Sequence, residues 1–115
     1  MRRKNYKGRC EKRTLTKCQE VVRTYDEIQY AYAGVLERNE NVKSYQCNVV
    51  LDGVENDAYT SDYVCVKVDG ELMVRECVKR EHIQKPMTVK LLDISRNYWL
   101  RRGACDWGIV IDEEK

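Results

Sequence analysis

Two carboxylates in the stretch TSDYVCVKVDGELMVREC, residues 60–77, are placed where they could do chemistry. The stretch reads as two strands joined across Asp69-Gly70, and an Asp-Gly pair between alternating segments is a strong hairpin signal. Side chains alternate faces along a strand, so Val74, Glu76, Val78 and Arg80 share one face and Met73, Arg75, Cys77 and Lys79 the other. A hairpin turning at 69–70 pairs residues whose numbers sum to about 139, which sets Glu76 opposite about Tyr63 and makes Asp62 its near neighbour across the ladder. Two like charges so placed repel each other unless a cation sits between them. Mg²⁺ or Mn²⁺ would accept this oxygen set, with water and a phosphate completing an octahedron, and such a metal can activate water for phosphodiester hydrolysis. A structural reading uses the same residues differently: Asp62 caps a turn after Thr60-Ser61, Glu76 pairs with Arg75 or Lys79 on a solvated sheet, and Glu27 only caps a helix.

The elements that must position these groups can be followed along the chain. Apolar residues at Leu15, Cys18, Val22, Tyr25, Ile28, Tyr32 and Val35 recur at threes and fours, a helical stripe. Within it TYDE, residues 24–27, fits a capping box in which Thr24 and Glu27 bond reciprocally. The spacing therefore predicts either one long helix or a fresh start at Thr24, ending near Asn39 and Asn41. KSYQCNVVL reads as a strand, and DGVENDA as a loop. The hairpin strands run over 59–68 and 71–78. Pro86 closes a polar linker, and Thr88 is placed to cap a second helix carrying Leu91, Ile94, Tyr98 and Trp99. Gly103 is placed to end it. DWGIVI is a last short strand, free to pair in parallel with a hairpin strand after a helical crossover. The order is helix, three strands, helix, strand, an α/β sandwich on a mixed sheet.

A chain of 115 residues with 35% charged and 43% hydrophobic residues suits one globular domain. No run approaches the length of apolar sequence a membrane span needs, and no secretory signal opens the chain, so an intracellular, cytoplasmic location is expected. The net charge of +2 hides an asymmetry. Residues 1–23 carry nine bases against two acids, a net of +7, and the remainder carries −5. The arm of Arg2, Arg3, Lys4, Lys7, Arg9, Lys12 and Arg13 is opposed only by Glu11. Such a segment fits an anionic partner, nucleic acid foremost, or else is a solvated terminus. The six cysteines contain no C-x-x-C pair, and His82 is the only imidazole. Buried free thiols are expected, rather than zinc or disulfides.

The residues also resemble a known family. YTSDYVCVKVDGELMVREC, followed by KPMTVKLLDISRNYWLRRGACDWGIVID, is similar to the N-terminal nuclease domain of TnsA, the endonuclease subunit of heteromeric bacterial transposases. The family pattern is a helix with Ser-x-x-Glu, a strand, T-P-D-F, and then a strand bearing Glu or Gln two residues before Lys. A helix ending in Y-W and a strand of the type W-x-I-V follow. The resemblance covers about residues 24–112. It implies a restriction-endonuclease-like α-β-β-β-α-β core, with a mixed sheet flanked by helices, over residues 24–115; residues 1–23 are read separately as the basic arm and helix start. It also implies Glu27, Asp62 and Glu76 as the catalytic acids, with Asp62 and Glu76 binding Mg²⁺ or Mn²⁺ beside the carbonyl of Cys77.

Two departures from the pattern stand out. Val78 occupies the lysine position, leaving Arg80 or Lys90 as the possible substitutes. The C-terminal partner-contacting domain of TnsA would begin where this chain ends. Two functions are therefore expected in parallel. One is a metal-dependent endonuclease of a mobile genetic element, acting on DNA in transposition. The other is a catalytically degenerate nuclease-fold protein that binds DNA or a protein partner, as a transposase accessory subunit or as an inhibitor of a host defence.

Overall fold

The computed structural model describes residues 10–51 and 60–112. The expected loop at 52–58 and the bases Arg2, Arg3, Lys4, Lys7 and Arg9 lie outside the described residues. In chain order the elements are β1 (Glu11–Arg13), β2 (Val22–Thr24), α1 (Glu27–Arg38), β3 (Val42–Val50), β4 (Thr60–Lys67), β5 (Leu72–Val78), α2 (Pro86–Arg101) and β6 (Asp106–Ile111), with a single 3₁₀ turn at Arg80–His82. Strands β3, β4, β5 and β6 form one sheet in that order. The first three are antiparallel neighbours, and β6 runs parallel to β5 after the α2 crossover. Helix α1 packs on one face through Ile28, Ala33 and Leu36, against Val42, Tyr45, Tyr63, Cys65, Met73 and Cys77. Helix α2 covers the other through Trp99, against Leu51, Val64, Val74 and Ala104. This is the α/β core, a mixed sheet flanked by helices, that the sequence pattern predicts.

The turns follow from residue type. Gly70 has φ +90°, and its N–H donates to Lys67 O at 2.8 Å, while Asp69 Oδ1 accepts from Glu71 N at 3.0 Å. Gly103 has φ +92° and closes α2 in a Schellman arrangement: its N–H donates to Leu100 O and that of Ala104 to Trp99 O. Pro86 opens α2 instead of closing a linker, and the N-cap is Lys85 rather than Thr88. Proline's fixed φ and missing N–H suit the first helical position, where no intrahelical donor is needed.

The N-terminal stripe is not helical before Glu27. Residues 11–13 and 22–24 pair as an antiparallel ribbon, Glu11 opposite Thr24 and Arg13 opposite Val22. Cys18 and Val22 are nonetheless buried in the α1-side core, and Leu15 packs against it. Spacing at threes and fours reports which residues face the core, and an irregular segment crossing that face buries the same positions. The cap is also displaced. Asp26, in extended conformation, accepts from Gln29 N at 2.8 Å and is the true N-cap. Thr24 is a buried strand residue whose hydroxyl has no partner among the described residues.

Glu37 ties the loop between the two ribbon strands to the body. Its carboxylate accepts from Thr16 Oγ at 2.7 Å, Lys17 N at 3.1 Å and Tyr45 Oη at 2.9 Å. Burial pushes the Glu37 pKa up, but these three donors outweigh it and hold the group below its usual 4.5. A depressed carboxylate stabilises the fold above the unfolded-state pKa and loses that contribution as pH falls through the folded value. Thermal melts of wild type and Glu37→Gln should therefore differ fully at neutral pH and converge as the solution is acidified below about 4.5. A difference that stays constant down to strong acid contradicts this account.

Candidate functional site

Strands β4 and β5 pair Tyr63 with Arg75 and Val64 with Val74. The register is one residue tighter than the sequence predicts, and it places Asp62 directly across from Glu76. Beyond Tyr63 and Arg75 the two side chains take over from the main-chain ladder. Asp62 N donates to Glu76 Oε1 at 3.0 Å, and Cys77 N donates to Asp62 Oδ2 at 2.6 Å. Asp62 is 6% exposed and Glu76 fully buried, so neither carboxylate lies on a solvated sheet.

A local inversion of the pleat lets both acids fit. Cys47 and Tyr63 face α1. Two residues from each, Val49 packs on the α2 side, and Ser61 bonds Trp99 of α2. Odd-numbered side chains thus change face in both strands at the pair Asn48–Asp62, and the register is preserved on either side of it. Asn48 makes this possible by adopting φ +54°. Asparagine tolerates that left-handed conformation better than most residues. As a result Asp62 reaches toward α1 while Glu76 faces α2.

Each acid meets one helix. On the α1 side Gln29 Nε2 donates to Asp62 Oδ1 at 3.1 Å and to Asn48 Oδ1 at 2.8 Å, while Gln29 Oε1 accepts from Tyr25 N at 2.8 Å. Asn48 Nδ2 continues the chain to Arg23 O, and the Tyr63 hydroxyl donates to Gln29 O. On the α2 side Ser95 Oγ donates to Glu76 Oε2 at 2.5 Å. Ser95 itself accepts from Trp107 Nε1 at 3.0 Å. Ser61 accepts from Trp99 Nε1 at 2.8 Å and lies 3.4 Å from Ser95 Oγ. All four carboxylate oxygens of the pair therefore accept hydrogen bonds from protein donors.

The other expected site residues stand elsewhere. Glu27 is exposed in the first turn of α1 and lines an open hollow with Glu11, Asp26 and Tyr30. The helix residue that does reach Asp62 is Gln29. It stands three after the cap Asp26, the same spacing as Ser-x-x-Glu, two positions later than TYDE. That signal was available in the sequence as Asp-x-x-Gln; Ser95 and Asn48 offered none. Val78, at the lysine position, is a buried apolar residue, 7% exposed. Arg80 turns to the end of β6, its N–H bonded to Asp112 Oδ1 at 2.6 Å and its guanidinium to Asp112 O at 3.1 Å. Lys90 is exposed on α2, and Lys12 on the ribbon. Arg13 is engaged internally, stacked 3.8 Å from the centre of the Tyr30 ring and bonded to Tyr30 O.

As arranged, these residues do not fit a hard divalent cation. Such an ion takes oxygen ligands only, whereas amide, hydroxyl and main-chain hydrogens are aimed at the oxygens it would need. Position 29 has to donate toward Asp62 and Asn48, which a carboxylate cannot do. Among the described residues no group of three or more His, Cys, Asp or Glu is placed to hold a metal, and no helix is long and apolar enough to cross a membrane. The chain matches no protein-family model and no curated protein.

Gln29→Glu tests the donor requirement. It would set a third carboxylate against Asp62 and Asn48 Oδ1, turning two attractive contacts into repulsive ones. Chemical denaturation should show a loss of about 2–4 kcal/mol, the usual scale for a buried polar group left without its partner. A variant as stable as wild type at neutral pH would mean that the Nε2 contacts contribute nothing.

Proposed function

We propose that this chain is a catalytically degenerate nuclease-fold protein that binds DNA without cutting it, serving a mobile element as an accessory factor. The observation that carries this reading is the closed carboxylate network. Glu76 and Asp62 accept four hydrogen bonds from Ser95, Gln29 and the main chain. An amide stands where a third acid would help a metal, and buried Val78 stands where a lysine would orient water. Hydrolysis needs a group that positions or deprotonates the attacking water, and the nearest candidate along the chain, Arg80, is held by Asp112. The bases of residues 1–23 supply the expected affinity for phosphates, a contact that carries no sequence information.

A metal-dependent endonuclease is the second reading. It is supported by the cross-strand adjacency of Asp62 and Glu76 on β4 and β5. The two readings part in one experiment. Wild-type protein is melted with and without Mn²⁺, and supercoiled plasmid is incubated with it in the presence of Mg²⁺ or Mn²⁺. No rise in melting temperature and no nicking is the expected result. A rise that disappears in Asp62→Ala, accompanied by nicking, would overturn the binding-only reading, since a ligand specific to the folded state stabilises it.

Binding has its own test. Removing residues 2–9 should weaken affinity for any duplex and flatten its salt dependence, each lost phosphate contact removing about 0.9 from the log–log slope. Lys12 should contribute less and Arg13 least, because Arg13 is committed to Tyr30. An unchanged slope after truncation would remove the basic segment from the interface.

A further inference from the structure

Two cysteines pack into one core cluster, on the α1 side of the sheet. Cys18 sits in the segment that leads into β2, and Cys47 lies in the middle of β3. The main chain brings them together: Tyr45 N donates to Lys17 O at 3.0 Å, which lays residue 18 alongside β3. Both side chains join the α1-side core, and Cys47 lies near enough to the Cys18 thiol to raise its pKa. The two differ in access. Cys18 is buried, whereas Cys47 is half-buried and lines a hollow of about 250 Å³ with Glu20, Arg23, Tyr25, Asn48 and Thr60. All six cysteines are free thiols.

We propose that Cys18 and Cys47 are a site of reversible oxidation, forming a disulfide that fastens the N-terminal segment to the sheet. The oxidant is a small disulfide such as glutathione disulfide, reaching Cys47 through the hollow. The Cys47 thiolate attacks one sulfur, forming a mixed disulfide and releasing one glutathione thiolate. Cys18, deprotonated, then attacks the Cys47 sulfur and expels the second. Two protein thiols lose two electrons and two protons, and one disulfide becomes two thiols. Burial, followed by the proximity of Cys47, raises the Cys18 pKa, so the second step quickens with rising pH. Cys65 and Cys77 are buried on neighbouring strands, and Cys65 has its thiol pushed up to about 12 by burial. Exposed Cys105 has Glu71 as its partner at 2.7 Å rather than a second thiol.

The bond would close a loop running through the ribbon's second strand, α1 and the start of β3. That loop includes Gln29, and β3 continues directly from Cys47 to Asn48. Oxidation would thus constrain the unfolded chain and hold in place the segment on which the Asn48–Gln29–Asp62 chain rests.

The test uses the full chain, reduced and then equilibrated with glutathione disulfide and glutathione at several ratios, and mapped without reduction by mass spectrometry. Cleavage after Lys17, Arg23 and Lys43 and before Asp52 separates Cys47 from Cys65. The expected product is a cross-link between the peptides 18–23 and 44–51, with loss of two hydrogens. It should be absent from Cys18→Ser and Cys47→Ser and reversed by dithiothreitol. Its formation should raise the melting temperature on the order of 10 °C, the scale for closing a loop of this length. Cys18 and Cys47 remaining free while Cys105 carries glutathione, or a cross-link joining any other pair, would overturn the proposal. Wild-type mapping decides the matter even if a serine variant folds poorly.

Discussion

The interaction on which the rest of the molecule depends is the burial of two carboxylates at facing positions of β4 and β5, one directed to each side of the sheet. Stripping water from even one carboxylate is expensive, and two side by side add their mutual repulsion. The arrangement survives because every oxygen has a donor. Those donors come from α1 through Gln29, from α2 through Ser95, and from the main chain of Asp62 and Cys77. Helices on opposite faces of the sheet are therefore coupled through its interior. Moving either helix would leave a buried charge uncompensated, which costs more than losing an apolar contact of similar size.

This coupling needs a sheet that is not regularly pleated. Strict alternation would send Asp62 to the same face as Glu76, and Gln29 could not meet it. The positive φ of Asn48 turns the pleat over in β3, and β4 follows at Asp62. The ladder gives up a pair there. The amide of Asn48 makes good part of the loss by bonding Arg23 O and Gln29 Nε2. One residue thus bends the strand, satisfies the backbone and anchors the ribbon that precedes α1.

A second polar knot lies at the other end of the sheet. Asp106 at the start of β6 pairs with Lys67 at 2.9 Å and Arg75 at 2.9 Å. Hydrogen bonding to Lys67 first, then to Arg75, holds the Asp106 carboxyl below its usual pKa against the opposing effect of burial. The Arg75 guanidinium lies over Gly108, where a side chain would crowd it. These contacts cross β4, β5 and β6 at partly exposed positions, where ion pairs contribute modestly. They align the parallel strand, whereas the acid network sets how the layers sit.

Much of the fold was legible in the sequence, because its signals are local. Asp69-Gly70, Gly103 and the alternating runs of β3 to β6 specify turns, a helix end and strands through φ preferences and side-chain period, and these hold wherever the segment lies. Asp62 and Glu76 could be paired from hairpin arithmetic to within one residue for the same reason. What the sequence could not decide was which partners each acid would meet. The spacing from Leu15 to Val22 records burial but not conformation, so a ribbon looked like a helix. Thr24 and Asp26 can both cap; the structure uses Asp26, and it is Gln29, bonded also to Tyr25 N, rather than Glu27 that meets Asp62. The pleat inversion at Asn48, and Ser95 beneath Glu76, arise where distant segments meet. Whether two neighbouring carboxylates form a cage for a cation or the centre of a hydrogen-bonded network depends on the donors that surround them. Those donors come from four separate elements, so only the tertiary structure could supply the answer.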